Sequence, residues 1–372
     1  MMSTTAAGPT GTGPALGGPV EEPPAPPARP SPARRALSSL SFTNIGAVYV
    51  WIVIIIVFSF WAPDTFPTWS TFQQVLNSNA VAGLVALSVV PPLAARVFDL
   101  SLAYTMSLSG VITAKVIVST DIGAGGAIAL AMATALVIGV INGIVVVTLR
   151  VDSFIATLAT GSLIQAFITM FTDGTSITGV KLLREPFAGM AQASAGGFTV
   201  PVLYLLVLAI ALWFVLEHTA TGRRLYATGF NSDAARLQGV PTDRLRFLTL
   251  VASSAIAGFA GVVFAAQIGS GSPEAGTPYL LSSYAAAFVG ATQLRAGRFN
   301  AWGTVIAILL LGTGTVGLGL ATSAQWAPSL FTGLVLIVAL VVTGGRLGLR
   351  TRLTRRRASR ATAGSDVPTT TA

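Results

Sequence analysis

Ten stretches of this chain run apolar and almost uncharged for close to 20 residues, the length that crosses the hydrocarbon core of a bilayer. They lie near 46–62, 72–93, 98–118, 123–149, 154–172, 198–217, 247–268, 279–294, 299–320 and 326–344. No other feature restricts the fold as much. In lipid every backbone group must find its partner inside the protein, so such runs can only be helices. The chain is therefore expected to be an all-α polytopic membrane protein of about ten transmembrane helices. Its charge content agrees: 9% of 372 residues, against about 25% in soluble domains.

The flanks read differently. Residues 1–44 are rich in Pro, Gly, Ala, Ser and Thr and cannot bury enough apolar surface to fold. No basic start leads into an apolar core, so this is not a signal peptide. Residues 346–372 form a second, basic tail. Both tails are expected to be disordered, with residues 45–345 forming the transmembrane domain. Within it, Pro91-Pro92 closes the second span just before Asp99 opens the third. A broken helix or re-entrant turn is expected there.

Charge orients the chain. With a cytoplasmic N-terminus, 19 of the 22 Lys and Arg residues fall on the inner side. Only Lys115, Lys181 and Arg184 fall at or beyond the outer face. One wrong span would scramble this split, so it favours an even number of crossings and two cytoplasmic termini in a plasma membrane. The same placement removes the nucleic-acid reading of the +9 net charge.

Several chemistries are excluded. There is no cysteine, and His218 is the single histidine, so neither a thiol site nor a multi-histidine metal site can form. No phosphate-cradling GxxxxGK[ST] occurs. The chain is not expected to be an enzyme or to hold a cofactor; any ATP is bound elsewhere. The span centres nearly lack ionisable residues, which weighs against an ion-coupled secondary transporter.

The longest polar segment between two spans is the loop 218–246, and residues 222–246 carry Arg223, Arg224, Arg236, Arg244 and Arg246. A plain helix connection needs only a few polar residues. Here Asn231 and Ser232 can cap a short helix through Asp233–Leu237, and Gly239 with Pro241 can end it. A short basic helix under a membrane bundle is a docking surface for a partner protein.

These residues resemble the cytoplasmic loop of permease subunits in ribose-type bacterial ABC importers for sugars. That loop commonly reads Gly-Arg-x-x-Tyr-Ala-x-Gly-x-Asn-x-x-Ala-Ala-x-x-x-Gly-[Ile/Val]. Gly222, Arg223, Tyr226, Ala227, Gly229, Asn231, Ala234, Ala235, Gly239 and Val240 match it. Residues 99–101 with 108–111, 142–160 and 288–304 are similar to further family stretches in the same order. The resemblance implies two permease copies, identical or not, two ATPase subunits and an extracytoplasmic solute-binding protein. It implies import of a monosaccharide or similar small polar solute by alternating access, with the loop motif coupling to the ATPase. Departures cluster near the outer mouth: Tyr279-Leu280-Leu281-Ser282 lacks two acids often found there. A permease of the same superfamily for branched amino acids or nucleosides stays open.

Candidate pathway residues are Asp99, Ser101, Thr105, Thr157, Ser162, Tyr279 and Ser282. Each has a plainer reading. Asp99 at a helix start can cap it by accepting from the amides of Ser101 or Leu102, or pair with Arg96. The hydroxyls can bond between helices or back to the i−4 carbonyl. Asp152 beside Arg150 suggests a local ion pair, and the terminal arginines suggest either an anionic-lipid contact or an ordinary inner-face anchor.

Overall fold

The computed structural model describes Gly8 and residues 42–292, 297–322 and 324–338. Both expected tails lie outside the described residues, save Gly8 and residues 42–44, which already belong to the first helix. The account below concerns the unit of residues 39–372.

The helices are α1 (Phe42–Trp61), α2 (Trp69–Ala94), α3 (Leu102–Ser119), α4 (Gly123–Gly143), α5 (Ser153–Thr172), α6 (Gly189–Gln192), α7 (Val200–His218), α8 (Ala220–Phe230), α9 (Ser232–Leu237), α10 (Thr242–Ile268), α11 (Thr277–Ala291), α12 (Ala301–Ala321) and α13 (Ala327–Val338). A π-helical turn, Ile144–Thr148, extends α4. Starts are set by short polar side chains that accept from otherwise orphaned amides. Thr68 caps α2, Asp152 caps α5, and Asn300 caps α12. Asp152 spends its carboxylate on the amides of Phe154 and Ile155, at 3.0 and 3.3 Å. No Arg150–Asp152 ion pair forms among the described residues.

Seven helices are long and apolar enough to cross a membrane: α2, α3, α4 with its π turn, α5, α7, α10 and α12. Each expected span coincides with a helix, but α11 has 15 residues, and the described apolar parts of α1 and α13 are shorter than a full crossing. The architecture is therefore an all-α, multi-pass bundle.

α2, α3 and α10 form its centre. From Ala80 to Ala94 every residue of α2 is buried, as in a helix wrapped on all sides. α4, α5 and α7 lie outside and turn Val137, Leu158, Phe167, Leu206 and Phe214 outward, where lipid takes the place of water. Small residues let the central helices touch. A Cβ on Gly261 of α10 would stand 2.0 Å from the Met106 carbonyl oxygen of α3.

Connections gather at two ends. At one, Lys181 meets Asp121 at 3.0 Å, β1 (Ile177–Thr178) pairs antiparallel with β4 (Ser270–Gly271), and Asn77 binds the β3 residue Thr199. Another short pair, β2 (Ser194–Ala195) with β3 (Phe198–Thr199), completes that end. The opposite end gathers residues 95–101, 149–152, 219–241 and 297–300.

Candidate functional site

The break between α2 and α3 comes later than the proline pair implies. Pro91 and Pro92 stay inside α2, near its C-terminus, and the chain leaves helical geometry at Arg96, which has φ 55°. Prolines that late remove only two amide donors from the final turns. Apart from the exposed Arg96, the irregular stretch 95–101 is buried or half-buried in protein, the condition for such backbone at depth.

Its amides are bound one by one. Phe98 N donates to Ser153 Oγ (3.1 Å), Asp99 N to Tyr284 Oη (3.1 Å), Leu100 N to Thr157 Oγ1 (2.9 Å) and Ser101 N to Asp99 Oδ1 (3.1 Å). Tyr284 Oη in turn donates to the Asp99 carbonyl at 2.9 Å. Asn142 Nδ2 donates to Ser101 Oγ at 2.7 Å, and Ser101 Oγ to Asp99 Oδ1 at 2.6 Å. Each such buried donor would cost about 1–3 kcal/mol if left unmade. Asp99 therefore serves its own loop: it accepts from the Ser101 amide, but the residue at the N-cap of α3 is Ser101, with no side-chain cap bond, and Asp99 makes no ion pair to Arg96 among the described residues. Ser253 of α10 faces the same carboxylate.

Asp99, Ser101, Thr105 and Thr157 come together here and are fully buried. In this conformation they face protein rather than an open passage. Thr105 bonds back to the Ser101 carbonyl. Ser162, Tyr279 and Ser282 do not join them. Ser162 is exposed on α5 and bonds back to Leu158 O, Tyr279 packs edge-on against Phe264, and Ser282 bonds back to Pro278 O and Tyr279 O. Asn142 and Tyr284 carry no expectation from the sequence; Asn142 is a lone amide at the end of the apolar run of α4, whereas Tyr284 follows Ser282 and Ser283 and gives no separate signal.

Beneath this loop lies the 218–246 segment. It forms two helices, α8 and α9, joined at Asn231, whose Oδ1 accepts from Asp233 N (3.1 Å) and Ala234 N (3.0 Å). Gly239, at φ 77°, reverses the chain after α9. The short capped helix is as expected, and Gly229 lies within α8, one residue before its end. A Cβ there would stand 2.1 Å from Ala94 O, so Gly229 seats α8 on the end of α2.

The loop motif divides into two faces. Gly222, Tyr226, Gly229 and Ala235 are buried against the bundle, whereas Arg223, Ala227, Asn231, Ala234 and Gly239 are exposed. Tyr226 Oη donates to Phe299 O at 2.7 Å, and the Arg298 guanidinium lies 3.6 Å from the centre of its ring. This fixes α8 to the α11–α12 connection. Arg236 binds Asp243 at 2.7 Å and so ties α9 to α10. Phe230 and Leu237, which no motif singled out, bracket α9 and are 72% and 87% exposed.

The family model for the permease component of branched-chain amino acid transport systems matches residues 71–340, which hold the Asp99 loop, α8 and α9 alike. The chain belongs to this permease family. The ribose import permease protein RbsC of Escherichia coli (strain K12) is 30% identical over 292 residues, 78% of this chain and 90% of that protein. The L-arabinose transport system permease protein AraH of the same strain is 30% identical over 311 residues, 82% and 92% of the two chains. The D-allose transport system permease protein AlsC, also from that strain, is 27% identical over 307 residues, 82% and 92%. The permease is thus a multi-pass inner-membrane subunit and not an enzyme. In such importers ATP hydrolysis belongs to separate subunits, and an ATPase and a solute-binding protein are its partners in general.

Proposed function

We propose that this permease imports a monosaccharide, driven by ATPase subunits that grip α8 and α9. What supports the sugar is the match, over about four-fifths of the chain, to permeases named for ribose, arabinose and allose. Two copies would form the pathway, with residues 45–345 as the transmembrane domain and ten crossings. The 218–246 segment and both termini would lie in the cytoplasm.

The geometry supplies a lever. Force on the exposed face of α9 passes to α8 through the Asn231 turn. From α8 it reaches the end of α2 at Gly229 and the α11–α12 connection at Tyr226, while α9 meets α10 directly through Arg236 and Asp243. The end of α2 runs straight into the 95–101 loop. That loop is held to α4, α5 and α11 by side-chain hydrogen bonds, a set that can exchange as helices tilt. A second arrangement of this loop is the element that both ATP and loaded binding protein would bias.

Expressed with its ATPase and binding protein in cells lacking their own ribose, arabinose and allose permeases, the chain is expected to restore uptake of at least one labelled monosaccharide. Uptake of branched-chain amino acids alone would replace the sugar reading with the one in the family description.

Orientation has its own test. Thr175 and Asp233 are exposed at opposite ends of the bundle in a chain without cysteine. A membrane-impermeant maleimide should label Thr175→Cys in intact cells, and Asp233→Cys only after permeabilisation. Labelling of both from outside refutes ten crossings with a cytoplasmic loop.

A further inference from the structure

Four arginines from four separate segments line one recess at the α8–α9 end. Arg96 comes from the α2–α3 connection, Arg150 from the α4–α5 connection, Arg236 from α9 and Arg246 from α10. The recess measures about 380 Å³, and Ser153, which holds the Phe98 amide, forms part of its wall. Its only carboxylate, Asp243, is taken by Arg236 at 2.7 Å. Arg96, Arg150 and Arg246 make no ion pair among the described residues, and Arg246 Nε is buried without an acceptor. Arg96 and Arg150 both hold left-handed backbone, φ 55° and 56°, which arginine seldom adopts.

A rule that only places positive charge on one side of a membrane is satisfied by arginines spread over that face. Gathering them around one concavity raises their mutual repulsion. A bound anion reverses that sign, and the planar fork of arginine matches phosphate oxygens two at a time. The recess is concave and sized for a small group, whereas the exposed apolar pair that brackets α9, Phe230 and Leu237, suits a protein partner. We propose that this recess binds a phosphate group, carried either by a small soluble anion or by the headgroup of an anionic lipid. Occupancy would bridge α9, α10 and the α2–α3 and α4–α5 connections, stiffening the end of the bundle where the lever acts. This goes beyond import itself: it gives the permease a site for regulation.

The test uses the full-length permease in phosphatidylcholine nanodiscs, with inorganic phosphate titrated against chloride at equal ionic strength, and in discs that also contain phosphatidylglycerol. A rise in Tm of about 3 °C is expected in at least one arm. A rise with free phosphate in phosphatidylcholine assigns a soluble ligand; a rise only with phosphatidylglycerol assigns the lipid. Arg150→Gln with Arg246→Gln should remove it. Arg150→Gln alone, at an exposed position, should weaken it while leaving the phosphate-free Tm no lower than the parent's, since it relieves repulsion among the arginines. No rise in either arm, or an equal rise in the variants, overturns the proposal. So does loss of ATPase binding in the double variant without any anion response, which would make the recess a protein contact.

Discussion

Leu237→Asp is expected to abolish uptake and to weaken ATPase-subunit binding by about 100-fold or more. Leu237 is 87% exposed at the end of α9, so the change asks nothing of the permease's own packing. Burying a leucine under a partner contributes about 1.5–3 kcal/mol. An unpaired carboxylate forced into the same contact costs about 2–5 kcal/mol. At 1.4 kcal/mol per tenfold, even the lower ends of both give two decades. Membrane insertion and Tm should match the parent. Ala235→Asp makes the contrast, because Ala235 is buried against the bundle and its loss should lower Tm as well. ATPase pull-down at parental strength by Leu237→Asp would remove α9 from the docking surface.

Gly261→Leu is expected to leave almost no folded permease. α3 and α10 cross with backbone against backbone, and even one Cβ at 261 would meet Met106 O at 2.0 Å. A carbonyl within a helix cannot swing aside as a side-chain tip can. The two central helices must part, and each carries buried neighbours on its other faces. Overpacking of an ordinary core site costs about 1–3 kcal/mol; this one exceeds that range because backbone must move. Gly125→Ala is the control, since nothing lies within 4 Å of its added methyl. The measurement is the monodisperse fraction after detergent extraction, with Tm. A Gly261→Leu protein that melts with the parent would show that the crossing is looser than its geometry.

Much of the fold was legible because lipid leaves a helix no alternative. Uncharged runs placed a helix at every expected span, and Asn231 with Gly239 marked the ends of α9, since capping needs only neighbours in sequence. The candidate site was legible as a motif but not as a surface. Gly229 and Ala235 read as part of a motif that couples to the ATPase, yet both are buried within the permease itself; whether a small residue spares room for a partner or for its own chain depends on distant segments. The Arg150–Asp152 pair failed for a local reason: helix amides two and three residues ahead compete for the same carboxylate.

What the sequence determined by itself is therefore the helices at the apolar runs, the capped α9 and the clustering of charge between the runs, all consequences of hydrophobic length and of contacts within a few residues. Only the tertiary structure decided which polar groups meet. Asp99 and Tyr284 lie 185 positions apart, and Ser153, Thr157 and Asn142 reach the same loop from two other helices. Four arginines on separate segments share one recess for the same reason. Helix packing in lipid turns on shape and on buried hydrogen bonds rather than on a hydrophobic gradient, and neither shape nor partnership across a bundle is written in the spacing of one chain.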